Sequence, residues 1–416
     1  MKKLKYAVIF LLVGHLATAQ KDTLSNQQIL ALKAKPTEVG IHYELGGANS
    51  KVPFSSMLNL ALSDFLEEDM KKDMVSKAAG GIRFGYSQEL DISYEQPGFY
   101  ILGAYKPGSY FSIENRLFTG ARFTENAVAL ALFGNKQFAD QTIDLGPSRY
   151  ESWWYTNLKY RYEAVHDSLP YKVDVGIVIG HEYSSYNVSK AEIYTEPNGE
   201  YIDAALDYTL RETRSGNGIA FGGLGFATGF ETSIPLKKKK YRLDIQLEDV
   251  GVIFWSGLQE TRVDSSFRFQ GAYFENIFDL NDSLVTSERE RLQNGLFSNT
   301  RDAYTAFMPF HLSLRFAKAC PNAKYLKELY GLVEYRYLTA YIPRLGVGSV
   351  WRFRENQKLR SELTYGGFNT VALGAAYELT LAGHYRIALG SQNLLAWALP
   401  GVFTGSSVGV GAYYIF

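Results

Sequence analysis

The chain has 416 residues, with 43 Lys and Arg balanced by 43 Asp and Glu, so its formal net charge is zero. That balance argues against a nucleic-acid protein, whose footprint would be basic. The single cysteine, Cys320, excludes an intramolecular disulfide framework and a cysteine-based zinc site.

In chain order, the first predicted element is a cleaved secretory signal over residues 1–19. Lys2, Lys3 and Lys5 precede an apolar run from Tyr6 to Leu16 and the small-x-small site Ala17-Thr18-Ala19. That run is shorter than the roughly 18 apolar residues of a membrane helix. No cysteine follows it, so a lipoprotein anchor is not expected.

Segments with a period of two follow, near 37–45, 80–94, 98–106, 126–133, 152–164, 171–183, 200–213, 217–232 and 241–249. Seven more lie near 308–317, 328–338, 343–354, 358–365, 370–379, 384–390 and 406–416. Tyr171, Val173, Val175 and Ile177 alternate with Lys172, Asp174 and Gly176, as Tyr385, Ile387 and Leu389 do with His384, Arg386 and Ala388. A helix would need a period near 3.6, so these are strands, about fourteen to sixteen in number. Thirty Tyr, 26 Phe and 38 Gly suit such strands, as girdle aromatics and close-packed backbone positions.

Two inserts break the pattern. Over Phe54–Lys77, Leu58, Leu62, Phe65, Leu66, Met70 and Met74 recur at helical spacing. This helical insert is expected within or against one mouth of the lumen, with Leu62, Phe65 and Met70 on the wall. Residues 256–305 are expected as a long extracellular loop with a polar helical stretch, Ser283 to Asn294.

The last strand is apolar or small on both sides. Val408, Val410, Ala412, Tyr414 and Phe416 alternate with Gly409, Gly411, Tyr413 and Ile415. The ending resembles the C-terminal signature of bacterial outer-membrane proteins, with Tyr414 and Phe416 as the candidate assembly signal. A final strand in lipid must close on the first and leave no edge. The expected fold is therefore all-β: a transmembrane antiparallel up-and-down β-barrel over residues 20–416, in the outer membrane. Its expected partners are outer-membrane lipid and the barrel-assembly machinery. An Arg at the bilayer midplane costs about 2–4 kcal/mol, and a one-residue slip would turn Arg386, Arg242 and Lys172 outward together. The charged face is thus expected in the lumen.

Several phrases resemble an uncharacterised family of Bacteroidetes outer-membrane barrels, the domain of unknown function 5723. They are Leu132-Phe133-Gly134-Asn135-Lys136-Gln137-Phe138-Ala139, Leu247-Glu248-Asp249-Val250-Gly251-Val252-Ile253-Phe254-Trp255 and Tyr304-Thr305-Ala306-Phe307-Met308-Pro309. The resemblance covers most of the mature chain. It implies a barrel distantly similar to fatty-acid and hydrophobic-compound transporters, and brings no catalytic residues. Those transporters place a plug before the first strand, whereas the helical insert here follows one.

The chemistry is sparse. His311 and Ser313 share a strand face and look like the His-x-Ser pair of outer-membrane phospholipases, but nucleophilic catalysis also needs an orienting group and an oxyanion hole. A hydrogen-bonded lumen His is the plainer reading. Gly222-Gly223-Leu224-Gly225 fails the nucleotide-loop spacing and reads as strand glycine at a bend or close approach. No metal site and no cofactor are expected. The candidate site is a lumen charge cluster: Glu334, Arg336, Arg352, Arg354, Lys358, Arg360, Glu362, Glu378, His384 and Arg386. It reads as structural ladders or as an anion-selecting patch. The expected function is passive transport of a hydrophobic or amphipathic small molecule through a narrow or plugged lumen. A scaffold of a secretion or surface-attachment machine, and an outer-membrane hydrolase, are the alternatives.

Overall fold

The alternation becomes strand along most of the chain. The computed structural model describes residues 37–416 apart from 63–64, 97–98, 102–103, 107, 167–168, 214–220, 237–239 and 271–297. The signal segment, 1–19, and the stretch 283–294 lie outside the described residues.

The elements are β1 (Glu38–Asn49), α1 (Phe54–Leu62), α2 (Glu68–Lys77), β2 (Ile82–Gln96), β3 (Phe99–Ile101), β4 (Ala104–Lys106), β5 (Ser109–Phe123), α3 (Glu125–Phe133) and β6 (Thr142–Asp144). Then come β7 (Ser148–His166), β8 (Leu169–Thr195), β9 (Tyr201–Thr213), β10 (Gly223–Leu236), β11 (Tyr241–Gln270), β12 (Ser298–Phe307) and β13 (His311–Ala319). The last are β14 (Leu326–Arg336), β15 (Ile342–Arg354), β16 (Gln357–Gly367), β17 (Val371–Leu381), β18 (Tyr385–Ser391), α4 (Leu394–Ala398) and β19 (Gly405–Ile415).

Fourteen strands close into an antiparallel transmembrane barrel. The ring runs β1, β2, β5, β7, β8, β10, β11, then β13 to β19 in order, and back to β1. Glu38 pairs with Ile415, and the Phe416 N–H donates to the Thr37 carbonyl at 2.9 Å, so first and last strands seal the seam. We call that end terminal and the other distal.

The outward face is the apolar one. Val39, Ile41, Tyr43 and Leu45 on β1, Val175 and Ile177 on β8, and Val408, Val410, Tyr414 and Phe416 at the end of the chain are all exposed. Between them Asp174, Val178 and Ser407 are buried, as the lumen reading requires.

Strand lengths are uneven. β8 has 27 residues and β11 has 30, against 7 in β18. At about 3.3 Å per residue β11 runs roughly 100 Å, well beyond an apolar band roughly 25 Å tall. The distal parts of β8 and β11 clasp β9 between them, while nearer the terminal end they clasp β10. β9 with β10, and β12 with β13, are two lengths of one returning strand.

Four expectations need correction. Residues 126–133 are helix, α3: the Thr124 hydroxyl accepts the Ala127 N–H at 3.2 Å as an N-cap, and a continuous run of apolar residues carries no period to distinguish strand from helix. Among the described residues of 98–106 the strands are those of the β3–β4 hairpin, which is not part of the barrel sheet; the wall strand is β5, outside the expected segments. The loop expected over 256–305 is strand at both described ends, because β11 continues to Gln270 and β12 begins at Ser298. The helical insert is two helices at the distal end, and Leu62 and Phe65 do not touch the wall. They are 80% and 78% exposed, while Met70 and Met74 pack with Met57, Phe123, Val128 and Leu132 between α2 and α3.

Candidate functional site

The lumen is filled unevenly. On the side of β2, β5, β7, β8 and β11, alternating inward positions carry charge. Arg116 bonds Glu89 and lies 2.9 Å from Glu114; Lys159 lies 2.8 Å from Glu114 and 3.6 Å from Asp249. Asp249 also accepts from Asn157 at 3.1 Å and from the Tyr155 hydroxyl at 3.3 Å. Arg161 grips Asp174 with two bonds, 2.6 and 3.0 Å. Buried charges persist only when paired in this way. Asp249 sits at φ 56° beside a register shift in the β10–β11 ladder, so Glu248 and Asp249 both face inward. Period-two reading cannot see such a bulge.

Toward the distal end the filling becomes apolar. Trp153, Trp255, Tyr155, Tyr183, Phe118, Ile253 and Met308 form one buried cluster. Glycines make room for this cluster, since a Cβ at Gly180 on β8 would lie 2.6 Å from the Trp255 ring and one at Gly223, the start of β10, would lie 2.9 Å from Ile253 and 3.0 Å from the Trp255 ring.

Two short turns then fold inward from the opposite wall. The β14–β15 turn buries Leu338, and Thr339 donates its N–H and hydroxyl to Glu151 at 3.2 and 2.9 Å. The β16–β17 turn bends through Gly366 (φ 111°) and Gly367 (φ 68°) and brings Phe368 against Gly85. Phe368 and Tyr341 meet edge to face at 5.3 Å. These turns bridge the barrel and leave a cavity of about 260 Å³ beneath them. Leu338, Tyr341 and Phe368 line it together with Glu334, Arg336 and Arg344. A second cavity of about 300 Å³ shares Glu44, Arg344, Thr364 and Gln392 with the first. Its wall is small because β17, β18 and β19 present Gly374, Ala376, Ala388, Gly390 and Gly409.

The expected charge cluster divides in two. Arg344 bonds Glu334 at 2.6 Å, Lys358 bonds Glu378 at 2.9 Å, the Tyr330 hydroxyl donates to Glu362 at 2.6 Å, Arg386 bonds Glu38, and Arg336 stacks 4.1 Å over Phe118. Arg360 lines the larger cavity with Glu362 and Glu378 and has no ion-pair partner among the described residues. Arg352 and Arg354 are exposed beside the β15–β16 turn at the terminal end, and His384 holds the Ile415 carbonyl there at 2.9 Å; these three lie away from both cavities. His311 faces Glu248 at 3.5 Å rather than Ser313. Sequence reasoning missed the Arg116 network because β5 was not recognised. The Ser112, Glu114, Arg116 alternation between outward Phe111, Ile113 and Leu117 was the available signal.

Several solved structures align with most of the chain. The toluene transporter TodX of P. putida aligns with TM-score 0.47 and 11% identity, covering 94% of this chain and 93% of that one. A Pseudomonas aeruginosa FadL homologue gives 0.41 and 10%, covering 96% of each. The translocator domain of the autotransporter NalP from Neisseria meningitidis gives 0.31 and 10%, covering 94% and 95%. No curated protein matches the sequence. A family model matches residues 37–387, which span the described chain from the first strand into β18, and the protein belongs to the family of unknown function DUF5723.

Proposed function

We propose that this barrel sits in the outer membrane and passes a small amphipathic molecule passively along the side of the lumen formed by β15 to β19 and β1. One observation carries the reading. The cavity under the inward turns is apolar above, at Leu338, Tyr341 and Phe368, and charged below, at Glu334, Arg336 and Arg344, and it adjoins a second cavity with a glycine and alanine wall. Apolar surfaces with a few placed polar groups suit small ligands. The filled half of the lumen and the bridging turns oppose a general porin. The test is uptake of small amphipathic acids and amines into liposomes carrying the purified protein. Gly390→Trp, where an added Cβ finds nothing nearer than 3.5 Å, should fill the larger cavity and abolish uptake. Equal uptake by that folded variant and the native chain would refute the route.

The sheet projecting from the distal end, built on β8, β9, β11 and β12, favours a second reading as a scaffold for a surface partner. It predicts no solute flux from the intact protein.

A further inference from the structure

We propose that α1 and the α4 segment, residues 394–403, form an apolar lid on the outside of the wall that is immersed in the membrane's distal leaflet and completes the lipid-facing surface above β18. β18 has only 7 residues, Tyr385–Ser391. At about 3.3 Å each and a tilt of about 40°, they cover roughly 18 Å, short of the roughly 25 Å apolar band and of the roughly 9–11 residues of a normal membrane strand. The chain continues from β18 not into polar loop but into Leu394-Leu395-Ala396-Trp397-Ala398-Leu399-Pro400-Gly401-Val402-Phe403.

That segment is pinned from within and apolar without. The Asn393 side chain is wholly buried and donates to the Gly405 carbonyl at 2.9 Å, and Ala396 is wholly buried. Trp397, Leu399 and Val402 are 52%, 53% and 67% exposed. α1 joins it: the Phe54 and Ser55 N–H groups donate to Phe403 and Pro400 carbonyls at 2.7 and 2.9 Å, and the Phe54 ring meets Trp397 edge to face at 5.2 Å. α1 likewise turns Leu60, Ala61 and Leu62 outward. An exposed apolar patch of this kind marks an interaction surface.

The occupant follows from the neighbours. Directly below, Leu389 on β18, Val408 on β19 and Leu45 on β1 are exposed on the lipid face, so the patch continues that surface upward. α2, a few residues on, shows the opposite chemistry, with Glu68–Lys72 and Asp73–Lys77 pairs at 3.3 and 2.7 Å on its exposed side. Water meets α2; lipid meets α1 and α4. A Trp at the upper edge of the apolar band occupies the usual place of a girdle aromatic.

The test is spin-label accessibility in phospholipid bilayers. In a Cys320→Ser background, labels are placed at Leu62, Leu399 and Val402, at Leu389 as the lipid control, and at Asn198 in the exposed β8–β9 turn as the water control. Variants keeping heat-modifiable mobility are compared. The three test positions should collide with oxygen more than with a water-soluble nickel chelate, as Leu389 does and opposite to Asn198. Nickel-dominated collision would overturn the proposal by placing the patch in water. Low collision with both reagents would overturn it by showing a protein cover.

Discussion

The bridge across the lumen is testable through one atom. Gly120 lies under the β14–β15 turn, and a Cβ added there would overlap the Thr339 carbonyl oxygen and sit 2.9 Å from Leu338 Cγ. Carbon atoms pack best at roughly 3.5–4.0 Å, so Gly120→Ala must push the turn inward by about 1 Å or release it. Overpacking of this kind costs about 1–3 kcal/mol. If it falls on the docked turn, the ratio of undocked to docked forms rises roughly five- to 150-fold. Planar-bilayer recording reads this directly, with rare openings from the native protein and openings more frequent by that factor in the variant. Gly331→Ala is the control, since its Cβ would meet nothing nearer than the Gly346 carbonyl at 4.0 Å. Unchanged conductance in a folded Gly120→Ala barrel, or a native barrel that is already open, would refute the bridge as the closure.

Three further outcomes follow from the same geometry. Arg116→Ala takes from Glu89 its close cation and leaves Glu114 with Lys159 alone among cations, and should destabilise the barrel by about 3–5 kcal/mol; a denaturation midpoint equal to the native one would contradict the network's structural role. Removing Phe416 deletes the bond to Thr37 and the ring 4.8 Å from Tyr414, and should lower the amount of assembled barrel; native levels would count against the assembly signal. In the projecting sheet Arg268 donates to Asp203 at 2.7 and 2.8 Å, which holds that carboxyl below its ordinary range. A lowered pKa stabilises above the unfolded value, roughly 3.9, and the contribution is lost as pH falls through the folded value. Intrinsically corrected hydrogen exchange in the β9–β11 ladder should therefore stay constant down to about pH 4 and quicken below it; quickening near neutral pH would show another group in control.

The sequence by itself determined the class of structure, the orientation of its faces and the closing strand. Those are local properties. A period of two states which side of each strand is apolar, and lipid allows only the solution in which that side faces out. The paired alternation of Tyr171 to Ile177 and of Val408 to Phe416 needed no partner to be read. What filled the lumen was decided only by closure of the ring. Arg116 and Asp249 are far apart in the chain and come within 3.7 Å because β5 and β11 line the same side of the closed lumen. The bulge at Asp249 turns two successive carboxylates inward, against the period. The count of about fourteen to sixteen strands holds, at fourteen, but single strands were misplaced where apolar runs lack a period, as in α3, and where one return is built from two lengths, as in β9 and β10. The helical insert was legible as helix from its spacing. Its place was not, because spacing shows which side of a helix is apolar and not what that side packs on, and only the folded chain sets Met70 and Met74 against α3 while Leu62 and Phe65 stay exposed.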